Sequence, residues 1–179
     1  RLGYHHQQGA ANVVPLNFTM LPALLKPLGW RTHALGKWHV GHARRHYTPT
    51  YRGFDTFFGH FGILSNYWDH TSAEAGRCKV NGTVDFVDAY HGGSVQPAEL
   101  SITRGQYASR VLSDRAVRII TDHAKHHRSK SLYIYLATPN VHTPLQAPCE
   151  TCLHYPRTSS DSRRVADAML EEVDSGVGL

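Results

Sequence analysis

Long apolar runs are missing from this sequence, which contains no stretch of eighteen apolar residues, so no membrane-spanning helix is expected. Methionine is scarce, and none stands at the start, where Arg1 opens the chain without a signal-like stretch. That beginning leads us to expect a processed amino terminus or a piece of a longer protein. Cysteine is limited to Cys78, Cys149 and Cys152, so at least one is unpaired within the chain. Cys149-Glu150-Thr151-Cys152 has the spacing of a redox or zinc motif. A redox pair opens a helix after a strand, whereas this one follows Pro148 in what reads as a loop. A structural zinc site needs a second ligand pair, and only Cys78 and scattered histidines are on offer. A disulfide, or plain loop thiols, is the better reading. Acidic residues are outnumbered, 14 against 19 Lys and Arg, and fourteen histidines add to a formal charge of +5. A basic chain favours an anionic partner. Nucleic acid is not that partner, because the basic residues are scattered and no nucleic-acid motif occurs.

What is present begins with 179 residues, 41% hydrophobic and 18% charged, enough for one globular domain with a real core. Its centre is Arg31-Thr32-His33-Ala34-Leu35-Gly36-Lys37-Trp38-His39-Val40-Gly41. The first half reads as a short buried strand. Gly36 lets the backbone turn off the strand end. Lys37 and His39 are two apart and point the same way in extended chain. Ligands of open α/β sheets bind beyond the carboxyl ends of strands. A cation and an imidazole leaving such an edge suit an anionic substrate. A lysine and a histidine in an ordinary surface turn is the bland alternative for so short a pattern.

The rest of the chain supports a sheet with helices. Residues 1–14 read as a polar loop, in which His5-His6 is a solvated pair rather than a metal site. Thr19 is expected to cap a helix running to Leu28, with Leu21, Leu24, Leu25 and Leu28 toward the core. Pro27 kinks or stops that helix and Gly29 closes it. His42, Arg44, Arg45, His46 and Arg52 form a basic run that reads as solvated loop before substrate rim. Arg52 to Gly59 is aromatic and turn-rich, and is assigned to structure. Tyr67-Trp68-Asp69-His70 reads as buried aromatics before a cleft wall. Asn81-Gly82 suits a hairpin turn between Cys78–Val80 and Thr83–Val87. Gln106 to His127 is helical, with Val111, Leu112, Ala116, Ile119, Ile120 and Ala124 on one stripe. His123, His126 and His127 fall in its last turn and complement the helix dipole. Leu132 to Ala137 reads as a strand covered on both faces, followed by His142 in a proline-stiffened loop. Ser159 to Val177 is a last helix with Val165, Met169 and Val173 on one face. Helix before strand, twice, is the pattern of a parallel α/β sheet.

This ordered series resembles the sulfatase family, in its arylsulfatase B-like branch. The residues that carry the likeness are Gly29-Trp30-Arg31-Thr32 through Gly36-Lys37-Trp38-His39, then Arg52-Gly53-Phe54-Asp55 through Gly59, then Val141-His142-Thr143-Pro144-Leu145-Gln146. Trp30 stands where tyrosine or valine is usual, and Leu35 where a smaller residue is usual. The resemblance implies an alkaline-phosphatase-like α/β sheet with helices on both faces, incomplete here. Residues 1–179 would be the central portion of the catalytic domain. It implies hydrolysis of sulfate esters by a formylglycine made from cysteine, beside a calcium ion held by oxygen ligands. Carried over by position, Lys37 would hold the nucleophile and sulfate oxygens. His39 would act as base on the formylglycine hydrate. His142 would bind sulfate and protonate the departing alcohol oxygen. The three should converge on one pocket. The substrate would be a sulfated small molecule or sulfated glycan.

The departures are as informative. No Cys-x-Pro-Ser-Arg or Ser-x-Pro-Ser-Arg, no preceding Asp-Asp and no later Asp-Asn-Gly occurs. The nucleophile and the calcium ligands are therefore expected outside this chain. A truncated, inactive sulfatase-like binding module and a histidine-rich metal hydrolase remain as alternatives. Asn17-Phe18-Thr19 and Asn81-Gly82-Thr83 match the short N-glycosylation pattern, in keeping with a secreted or lysosomal protein. Nothing in the sequence sets the oligomeric state.

Overall fold

The strand at the centre of the sheet, β1 (Arg31–Lys37), buries its five inner residues and hydrogen-bonds to neighbours on both sides. It runs parallel to β2 (Thr56–His60) on one side and to β5 (Leu132–Ala137) on the other. Beyond β2, β3 (Val87–Tyr90) and β4 (Val95–Pro97) add on antiparallel, for an order β4-β3-β2-β1-β5. The structure is a computed structural model that describes residues 13–63, 65–72, 84–90, 95–97, 103–156 and 160–178. The expected parallel pairing is found, in register from Arg31 opposite Leu132 to Gly36 opposite Ala137.

Strand alternation sends side chains to two faces. Leu35 and Phe58 meet Phe86 and the Val111, Leu112 and Ala116 face of α2 (Ala108–His126). Ala34, Phe57 and Ala89 meet Phe54 and Trp38 on the other face, joined by Met20 at the start of α1 (Leu21–Leu25). Each such Leu or Phe contributes roughly 1.5–3 kcal/mol when fully buried. A third cluster joins Tyr67, Tyr107 and Ala108 to Met169 of α4 (Asp161–Val177). Ser160 caps α4 by accepting from the Arg163 amide. Between α2 and α4, Arg110 donates to both carboxylate oxygens of buried Glu172 at 2.7 Å each. Paired and hydrogen-bonded, that carboxylate is held below its ordinary range despite its burial.

Several expectations are corrected. Met20, not Thr19, is the N-cap of α1, and no side chain caps it. The helix passes into a 3-10 turn at Lys26–Leu28, and Gly29 closes it at φ 84 as expected. Leu21, Leu24 and Leu28 are exposed, because it is Met20 and buried Pro22 that turn inward here. In α2, Ile120 and Ala124 are exposed, while Ile119 is the stripe residue that stays packed on the core there. Thr56–His60 is a strand, and the turn residues before it are the corner that leads in. Tyr135 of β5 is 45% exposed, because β5 is the edge strand of the described sheet and is not covered on both faces. Cys149 and Cys152 lie on a helical turn, α3 (Cys149–Cys152), and both thiols are free. His5, His6, Cys78, Asn81 and the expected Asn81-Gly82 hairpin lie outside the described residues.

Candidate active site at the carboxyl edge of the sheet

Lys37 is the last residue of β1 and is half-buried. Its partner across the parallel pair is His60, the last residue of β2. The pairing continues past both strands: the Trp38 amide donates to the His60 carbonyl at 3.0 Å, and the His39 amide to the Phe61 carbonyl at 3.2 Å. Buried Trp38 fixes the outgoing chain by donating from Nε1 to the carbonyls of Gly41 and Tyr47. His39 is held at φ 48, a left-handed conformation that costs a non-glycine residue energy and occurs often at functional sites. Extended-chain alternation therefore ends before His39 and does not aim it. Gly36, for its part, lies inside the strand rather than at its turn-off, and supplies room against β5. Asp85 secures the next turn by accepting from the amides of Phe61 and Gly62.

The sequence alone did not single out His60, which the register sets opposite Lys37. His60 is 1% exposed, and its Nε2 is buried without a hydrogen bond. Burial, then the charges of Lys37, His70 and His39, push its imidazole down from 6.5 to about 3, so it is neutral at working pH. His70 lies behind, stacked on Phe86 with ring centroids 4.5 Å apart, with Nε2 bonded to the Thr103 carbonyl. It too is buried and shifted down, by that burial. The available signal is a repeated pattern: a glycine then a basic residue ends each strand, Gly36-Lys37 and Gly59-His60.

His142 is exposed, on the loop after β5. Because β1 and β5 are parallel, that loop leaves from the same sheet edge as Lys37. The loop is braced from several sides. Tyr67 donates its hydroxyl to the carbonyls of Pro139 (2.8 Å) and His142 (3.1 Å). The Tyr67 amide donates to the Gln146 side chain, and the Tyr107 hydroxyl to the Gln146 carbonyl. Asn140 donates to the Tyr107 hydroxyl and to the Met169 carbonyl, tying the loop to α4. Tyr67 and Tyr107 stack at 5.3 Å. Burial pushes the Tyr67 phenol up to about 12, so it remains a donor. Buried aromatics were the expected reading of the 67–70 stretch, and Tyr67 adds to it the hydroxyl that supports His142.

The basic run after His39 divides. His42 is exposed and stacks on Phe61 at 5.4 Å. Arg52 is neither rim nor solvated loop: it is 6% exposed and donates to the carbonyls of Val14, Pro15 and Phe18. Asp55 is structural, accepting from the Thr32 amide and pairing with Lys26 at 2.9 Å at the opposite edge of the sheet. Among the described residues no group of three His, Cys, Asp or Glu side chains is placed to hold a metal ion. Lysine and imidazoles also give a hard cation no oxygen ligands. These residues do not fit calcium.

An edge of this kind, with Lys37 ending β1 and a braced loop carrying exposed His142 leaving the neighbouring parallel strand, offers a cation and an imidazole to an anion. The family model described as Sulfatase matches residues 2–179. The chain belongs to the sulfatase family. This sulfatase chain is 35% identical over 166 residues to arylsulfatase J of Mus musculus, covering 93% of the chain and 26% of that protein. It is 27% identical to N-acetylgalactosamine-6-sulfatase of Homo sapiens, over 92% of the chain and 29% of that protein. Among solved structures it is similar to Ps i-CgsB in complex with k-i-k-neocarrahexaose, with TM-score 0.74, 28% identity, and coverage of 96% of this chain and 37% of that one. The chain thus spans roughly a quarter to two-fifths of the length of these proteins.

Proposed function

We propose that residues 1–179 are the central portion of the catalytic domain of a sulfuric ester hydrolase, and that they supply its sulfate-binding and proton-moving side chains. Lys37 binds sulfate oxygens through its ammonium, stabilising the negative charge of the group in transfer. His39 accepts a proton as the base. His142 binds the sulfate from the neighbouring strand and protonates the departing alcohol oxygen. The formylglycine nucleophile and the calcium ion belong, in this reading, to residues outside this chain.

One observation carries the reading: Lys37 ends β1 on the sheet edge from which the His142 loop departs, in a chain that matches the sulfatase family along its length. A sulfated saccharide or an aryl sulfate is the substrate class, supported by the similarity to Ps i-CgsB, solved with k-i-k-neocarrahexaose. A secreted or lysosomal location is supported by Asn17, exposed within an Asn-x-Thr pattern. The test is turnover of an aryl sulfate and of a sulfated oligosaccharide by the full-length protein and its Lys37→Ala variant. Loss by about a hundredfold or more is expected. An undiminished variant would overturn the assignment, and no turnover by the unaltered protein would favour the inactive binding module.

A further inference from the structure

Cys149 and Cys152 open and close α3, the single helical turn that follows the His142 loop, and both thiols are free. Cys149 is exposed and Cys152 half-buried. Residues three apart on a helix are neighbours, with Cβ atoms about 5–6 Å apart. A disulfide needs them about 3.5–4.5 Å apart. The turn tightens in that direction. The Leu153 amide is shared between the Cys149 and Glu150 carbonyls at 3.2 Å each, and the amides of His154 and Tyr155 bond three residues back, to Thr151 and Cys152. Bonds of that span belong to a 3-10 helix, in which side chains three apart eclipse one another. α3 is four residues long, so a bridge across it distorts no longer helix. The turn is anchored through buried Thr151, whose hydroxyl donates to Glu172, rather than through either thiol.

We propose that Cys149 and Cys152 are a reversible dithiol site, converted to an intrachain disulfide by exchange with a small-molecule disulfide. The site is separate from the residues assigned to sulfate above. Cys149, as thiolate, attacks one sulfur of the small disulfide. A mixed disulfide forms and one small thiol leaves. Cys152 then gives up its proton and attacks the Cys149 sulfur, which forms the Cys149–Cys152 bond and releases the second small thiol. Two electrons and two protons pass from the pair to the small disulfide, which is reduced to two thiols. The order follows access, since Cys149 is the exposed thiol and Cys152 is partly covered. Burial, then the neighbouring Cys149, also push the Cys152 thiol up, which suits it to the second step, where the target sulfur is already at hand. A bridge that closes so short a loop takes little entropy from the unfolded chain. It must also draw the two Cβ atoms closer than helical spacing, so it is of the labile kind rather than a structural staple.

The experiment incubates the full-length protein with oxidised glutathione, quenches it with acid, alkylates the remaining thiols, digests it and weighs the peptide that carries both cysteines. The expected peptide is lighter than the dithiol form by two hydrogen atoms and carries neither alkyl group nor glutathione. Dithiothreitol should return it to the doubly alkylated form. Cys152→Ser should stop halfway, with glutathione held on Cys149. Cys149→Ser should take up glutathione on Cys152 at least about tenfold more slowly than that. Cys78→Ser should leave the reaction of the pair unchanged. Two alkylatable thiols persisting in oxidised glutathione would overturn the inference, and so would glutathione retained on Cys149 of the unaltered protein. A bridge from either cysteine to Cys78 would overturn it as well.

Discussion

Gly36 and Gly59 face each other across β1 and β2 so closely that a Cβ on Gly59 would lie 2.1 Å from the Gly36 carbonyl oxygen. A Cβ on Gly36 would meet the Ala137 carbonyl oxygen at 2.0 Å. Three strands are thereby drawn together just beneath Lys37 and His60. The obstructing atoms are backbone and cannot swing aside. Gly36 also holds φ 93, where any side chain is strained.

Gly36→Ala is accordingly expected to destabilise the protein by about 2–4 kcal/mol, from positive-φ strain together with displacement of β5. The change should appear as a lower urea midpoint for unfolding. A midpoint equal to that of the parent would show that the strands can part without cost.

Tyr67→Phe removes one hydroxyl that braces the His142 loop at Pro139 and His142. The ring and its stack on Tyr107 remain. We expect a modest loss of stability, about 1 kcal/mol, with a fall in kcat larger than the change in KM. Steady-state kinetics on the full-length protein checks this, and unchanged kcat would mean that the loop needs no such support.

Acid should weaken the fold through His33. Burial, then the nearby charge of Arg31, push its imidazole from 6.5 down to about 4, while Nδ1 bonds the Thr56 hydroxyl at 2.7 Å. The unfolded chain takes up the proton first, so this contribution is complete above pH 6.5 and is lost as pH falls toward 4. His33→Gln should flatten the fall in Tm across that window, on a scale of roughly 2–4 °C per kcal/mol. Parallel Tm curves for the two proteins would refute the assignment.

Within the full-length protein, His39→Ala should cut turnover of a sulfate ester by about 10²–10⁴-fold, as removal of an acid–base group does. His42→Ala should change it little, because that ring is exposed and only stacks on Phe61. Residues 1–179 alone should turn over no aryl sulfate with or without calcium, since none of Lys37, His39 and His142 replaces a missing nucleophile. Metal-independent turnover by the isolated chain would place the chemistry elsewhere.

Periodicity and local chemistry determined a good part of this protein. The apolar run 132–137 read as a strand, the stripe beginning at Val111 as a helix, and Gly29 as a helix stop, because each depends on neighbours in the chain. Lys37, His39 and His142 were singled out because glycine, lysine, histidine and proline stand at motif spacing, and their roles are those proposed above. The tertiary structure decided what depends on distant partners. It made Thr56–His60 a strand by pairing it with β1, although glycine and turn residues obscure its alternation. It turned Arg52 inward to three carbonyls more than thirty residues away, and left Leu21, Leu24 and Leu28 outside. It also set His60 beside Lys37, two residues twenty-three positions apart that only the register of parallel strands brings together.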